Sequence, residues 1–83
     1  MADVPIGVIT RLQRMIGPVA PEHSDYGLNL AHQAWLLEEM RAGRLTGDKA
    51  QRALGWVQCF LCAQGITTLA EERAANAIFY SLG

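Results

Sequence analysis

The chain lacks most of what would declare a function outright. Seven basic residues face eight acidic ones, for a net charge of −1 and a sequence pI near 6.0. No bulk positive field therefore draws it to nucleic acid. No apolar run approaches the ~20 residues needed to cross a bilayer, and no repeat or low-complexity tract interrupts the pattern. The opening stretch, MADVPIGVITRLQRMIG, places an acid early and arginines late. That order is the reverse of a secretion signal, so the expected location is the cytoplasm, with no membrane association. Cysteines kept there stay reduced.

Chemically versatile groups are scarce as well. Cys59 and Cys62 are the only cysteines, His23 and His32 the only histidines. A redox Cys-x-x-Cys opens a helix, where the positive end of the dipole lowers the thiol pKa. Here the pair falls in the last half of a predicted helix, and Phe60-Leu61 between them form no turn. Zinc would need all four of these residues, with the cysteines on a regular helix rather than a knuckle. Buried or half-buried free thiols, acting as small apolar side chains, are the simpler expectation.

Nothing pairs a histidine with a nucleophile. His23, Ser24 and Asp25 are adjacent, so their side chains diverge and the Ser-Asp pair suits a cap better than a triad. Glu38-Glu39 and Glu71-Glu72 point about 100° apart on a helix and do not share a substrate. The segment from Gly43 to Lys49 echoes a phosphate loop, but its glycine spacing is one residue short and no strand precedes it. The expectation is a protein that is not an enzyme, with no cofactor and no metal.

What is present is helix-forming. At 51% hydrophobic and 18% charged the chain is globular in composition, and 83 residues make one small domain with a thin core. The pattern predicts an all-α fold, a small bundle of about four helices at roughly 5–16, 26–42, 47–64 and 69–82. Asp3 is placed to cap helix 1, Thr46 helix 3, and Thr68 with Glu71 forms a capping-box spacing at helix 4. Gly43 and Gly65 sit where left-handed helix ends belong, and Ile66 is placed to complete a Schellman ending. Short links make helices 3 and 4 a helical hairpin.

The faces are less evenly resolved. Val8, Ile9, Leu12, Met15 and Ile16 form one stripe on helix 1, with Arg11 and Arg14 opposite. Leu30, Ala34, Leu37 and Met40 line helix 2; Ala50, Ala53, Leu54, Val57, Phe60 and Leu61 line helix 3. Ala70, Ala74, Ala77, Ile78 and Leu82 are the expected inner side of helix 4. Trp35, Trp56 and Cys59 fall outside these stripes, so helices 2 and 3 carry a second apolar face. Either helix 1 covers it or another chain does, most simply as a two-fold homodimer.

A second candidate surface lies at the 2–3 corner, where Arg41, Arg44, Lys49 and Arg52 gather four of the seven basic residues within twelve positions. Helix 2, the turn and helix 3 fit a helix-turn-helix, although Glu38, Glu39, Asp48, Glu71 and Glu72 nearby would repel phosphates.

The segment LTGDKAQRALGWVQCFLCAQGITTLAEERAAN (45–76) resembles short uncharacterised proteins encoded by bacteriophages and prophages. The shared pattern is Thr46-Gly47-Asp48-Lys49, then Leu54-Gly55-Trp56, then cysteine and Gly65 before a final helix. The resemblance transfers no catalytic residues. It implies a small accessory protein in a bacterial host cytoplasm that binds a host or phage protein, for instance to block a defence system or retune transcription. The leading expectation is therefore a non-enzymatic interaction protein with an unidentified protein partner; the alternative is a DNA-binding regulator working through the 2–3 corner.

Overall fold

Capping and glycine placement set where each helix starts and stops. The computed structural model describes residues 3–82, Leu82 by its backbone alone, and contains four helices: α1 Ile6–Ile16, α2 Leu30–Arg41, α3 Gly47–Ala63 and α4 Leu69–Leu82. No strand occurs among the described residues, and the all-α bundle is as the sequence pattern predicts. The C-terminus of α3 is a complete Schellman ending. Gly65 takes φ 74°, its N–H donates to the Cys62 carbonyl, and the Ile66 N–H donates to the Leu61 carbonyl at 3.0 Å. At α4 half of the expected capping box forms: the Thr68 hydroxyl accepts from the Glu71 N–H at 3.2 Å, while the Glu71 carboxylate accepts from the Thr67 hydroxyl at 3.1 Å.

Three terminal assignments change. Asp3 does not cap α1, whose N-cap is Pro5 with no side-chain bond. Its carboxylate instead accepts from the Gly47 N–H at 2.7 Å, capping α3 across 44 residues. Thr46 occupies the N-cap position of α3 but contributes no side-chain bond. α2 begins at Leu30 rather than near 26, because Asn29 takes the cap and its Oδ1 accepts from the His32 N–H at 2.8 Å. Residues 24–29 are thereby freed to form a loop.

α1 packs on α2 and α4, and α3 packs on the same two helices, so α1 and α3 lie on opposite corners of the bundle. Val8, Ile9, Leu12, Leu37, Leu54, Val57 and Leu61 fill the space between them, each no more than 4% exposed. The expected stripes of α1, α2 and α3 supply this core, joined by Val4 and flanked by Met15, Leu30 and Ala53 at half-buried positions. Gly7 lets α1 approach α4, since a Cβ there would run into the Phe79 ring.

α4 departs from its expected face. Ala70, Ala74 and Ala77 are exposed and Ile78 is 59% exposed, while Glu72 is 3% exposed and Ala75, Asn76, Phe79 and Tyr80 turn inward. The Leu82 side chain lies outside the described part. The physical reason is a polar cluster. Arg11, expected on the solvent side of α1, donates from Nη1 to Glu72 Oε1 at 3.0 Å, and its Nη2 lies 2.9 Å from Oε2. Gln58 of α3 donates to Oε1 at 3.0 Å, and the Thr67 hydroxyl donates to Oε2 at 2.6 Å. Gln58 and Asn76 exchange a further pair of bonds. A buried carboxylate is tolerable only when so fully bonded; three alanines and one isoleucine offer too little apolar area to override it.

Burial alone would push the Glu72 carboxyl up, but its bonds from Arg11, Thr67 and Gln58 hold it below its ordinary value. Its stabilisation is thus complete above the unfolded carboxyl value near 4.3 and is lost as pH falls below that through the folded value. Glu72→Gln is expected to lower stability by about 2 kcal/mol at pH 7. In urea titrations the gap to wild type should close as pH drops below ~4; an acid-independent gap would show that the charge is not what matters.

Candidate functional site

The face that no helix of the chain covers is the outer side of α3, away from Val57. Along it run Arg52, Gly55, Cys59 and Ala63, with Trp56 on one flank and Cys62 on the other, all from the period of 3.6. Gly55 is an exposed helix-interior residue, and a Cβ built there meets nothing within 4 Å. Glycine in such a position weakens a helix by about 0.5–1 kcal/mol relative to alanine, and nothing within the chain requires it.

Trp56 is fixed by the loop of residues 24–29. Gly27 takes φ 74°, a conformation open to glycine, and presents its carbonyl toward α2 and α3 together. That oxygen accepts from Gln33 Nε2 at 2.8 Å and from the Trp56 indole N–H at 2.9 Å. A Cβ at Gly27 would lie 3.8 Å from both the His32 and Trp56 rings, so the loop backbone is threaded between two side chains. The indole is consequently anchored at its polar end, with 46% of the residue exposed. Tyr26 and Leu28, carried on the same loop, are 77% and 45% exposed. With Cys59, Phe60, Ala63 and Gln64 they form the walls of an open, mainly apolar groove.

Trp35 belongs elsewhere. It is half-buried, and its ring stacks on His32 at 5.6 Å between centroids and meets the His23 ring edge-on at 4.7 Å. His32 Nδ1 accepts from the Ser24 N–H at 3.1 Å, which places the imidazole proton on Nε2 in the neutral ring. Burial, then the neighbouring His23, push the His32 pKa down. Trp56 and Cys59 are therefore brought together as expected, whereas Trp35 is not among the residues lining their groove. Sequence reasoning missed Tyr26 and Leu28, both of which were assigned to the start of helix 2. The available signal was Asn29, a cap as good as Ser24 or Asp25 and placed directly before Leu30, the first residue of the apolar stripe.

The basic corner is drawn apart. Arg41 reaches to α1, donating from Nε to Gln13 Oε1 at 2.9 Å and from Nη2 to the Thr10 hydroxyl at 2.6 Å. Arg44 folds onto Glu39, bonding its Oε2 at 2.6 Å from Nε, and this carboxylate raises the guanidinium pKa. Lys49 and Arg52 stand exposed on the N-terminal half of α3.

The Cys-x-x-Cys spacing resolves into two different thiols. Cys59 is exposed on the groove; Cys62 is half-buried toward α4, and both are free. Burial pushes the Cys62 thiol up, and Glu72, Cys59 and Glu71 add to the effect. Among the described residues no three of His, Cys, Asp and Glu gather as a metal ligand set, and no helix is long and apolar enough to cross a membrane. Comparison with protein-family models, with curated proteins and with solved structures finds no match.

Two measurements follow from this geometry. In dilute solution iodoacetamide should modify Cys59 on the order of tenfold faster than Cys62, read by peptide mass spectrometry; equal rates would contradict the difference in exposure and the raised Cys62 pKa. For His32, the unfolded chain takes up a proton at higher pH than the folded one. Stability should therefore decline as pH drops through about 6.5 and level off below the folded value, and His32→Gln should remove that step.

Proposed function

We propose that this chain is a small non-enzymatic interaction protein that docks another protein chain on the outer face of α3. In keeping with the resemblance of residues 45–76, it is an accessory protein of the phage and prophage type, acting on a host or phage protein in the bacterial cytoplasm. The observation that carries the reading is the cluster of Tyr26, Leu28 and Trp56, at 77%, 45% and 46% exposure, on one groove of so small a domain. An aromatic side chain held at one end and exposed at the other, as Trp56 is, is what an interface anchor looks like, because little side-chain entropy is lost when it docks.

Chemistry supports the same reading. The groove holds one accessible thiol and a glutamine amide, with no acid–base pair facing a common point. The alternative, a DNA-binding regulator using α2 and α3, draws less support. Two of its four cations, Arg41 and Arg44, already spend their donors on Gln13, Thr10 and Glu39. Phosphate contact would have to compete with those bonds.

Photo-crosslinking tests the proposal directly. Benzoylphenylalanine placed at position 56, in cells that make the protein, should yield a discrete protein adduct, and the same probe at Arg73 on α4 should not. Absence of any protein adduct at 56 would end the interaction reading. Retention of the purified chain on random duplex DNA, weakening linearly with the logarithm of salt, would favour the regulator instead.

A further inference from the structure

We infer that the occupant of the α3 face is a second copy of this chain, packed so that the two α3 helices cross antiparallel about a two-fold axis between Gly55 and Cys59. This rests on the interaction reading above and makes the chain docked on this face a second copy, so that a host or phage protein would be met by another surface of the dimer.

Three observations on the face agree on that arrangement. The first is spacing. An axis on the outer side of α3, at the height of residue 57 along the helix, relates residue 55 of one protomer to residue 59 of its partner, so the unoccupied space at Gly55 receives the partner's Cys59, and the reverse. The glycine without a use inside the monomer gains one as the point where two helix backbones approach closely.

The second is charge. Arg52 is exposed on this face near the start of α3, while the last turn of α3 contains no basic residue to balance the negative end of its dipole. Antiparallel crossing sets each Arg52 over the negative end of the other protomer's α3 dipole. Parallel crossing would oppose the two arginines. With a net charge of only −1, two copies meet without a repulsive field.

The third is apolar area. A two-fold axis perpendicular to α3 keeps each flank of the helix against the same flank of its partner. The Tyr26–Leu28–Trp56 cluster therefore meets its own copy, with the two indoles side by side. Side chains of this size, exposed at 77%, 45% and 46% and counted on both protomers with Cys59, Ala63 and Arg52, supply area on the order of the ~1,000 Å² total that a specific interface needs.

Sedimentation equilibrium of the full chain, alongside thermal unfolding, is the test. Wild type is expected to dimerise reversibly. Gly55→Leu should weaken dimerisation by at least about tenfold while leaving helicity intact and the monomer as stable or more so, since a helix former replaces glycine in open space. A wild type that stays monomeric at high concentration, or a Gly55→Leu protein that dimerises as tightly as wild type, overturns the inference. Should Gly55→Leu lose helicity, Gly55→Cys decides. Under mild oxidation it should form a covalent dimer through Cys59 of the partner subunit, abolished by Cys59→Ser; no such dimer counts against the geometry. A monomeric wild type whose position-56 probe captures only a foreign protein removes the second copy and keeps the interaction function. A monomer that captures nothing removes both.

Discussion

The buried carboxylate of Glu72 governs how the four helices are turned. A charge at 3% exposure has few acceptable surroundings, and here each oxygen takes two donors, drawn from α1, α3 and the loop before α4. Satisfying it fixes the rotation of α4, presses Asn76 against Gln58 and faces the alanines outward. It also clamps α1 to α4 through Arg11. A helix held there is unavailable to cover the far side of α3, and this leaves the outer face of α3 bare. Of the two explanations that the sequence left open for that face, cover by helix 1 is thereby removed.

The loop of residues 24–29 plays the complementary role. It covers the edge of α3 with backbone rather than with side chains, and one carbonyl, that of Gly27, holds both Gln33 and Trp56. Because hydrogen bonds to a shared acceptor fix both donors relative to it, the Trp56 ring is oriented before any partner arrives. Preorganisation of this kind reduces the entropy lost on docking. The histidine and Trp35 rings brace the other side of the loop, so the loop's position depends on the neutral state of His32.

Much of the fold is legible in the sequence because it is written in local terms. Apolar residues at helical spacing identify the inner faces of α1, α2 and α3, and Gly65 with Ile66 marks the end of α3 within a few residues. What is hidden is long-range. Asp3 caps a helix that begins 44 residues later, and Arg11 finds its partner 61 residues on. No periodicity announces such pairings. The α4 face is misread for the same reason: alanines recur at helical spacing, but alanine gains little from burial and yields to a polar network assembled from three other elements. At the site, Trp56 and Cys59 stand out as residues left over from a core stripe. Tyr26 and Leu28 do not, because their exposure depends on where α2 starts, and Asn29 moves that start by four residues.

The Arg11–Glu72 pair also has a bearing on how the molecule opens. The α2–α3 and α3–α4 units are joined by short turns and hold together by contacts close in sequence. The clamp on α1 instead closes a loop of 61 residues, whose entropic penalty must be met before the contact forms. α4, which places no fully buried apolar side chain in the core among the described residues, is then the element expected to detach first, as a unit of partial unfolding. Its departure would release the Glu72 carboxylate to water and leave Arg11 and Gln58 without their acceptor. The same ionic contact that sets the architecture therefore also marks the place where the native state is easiest to breach.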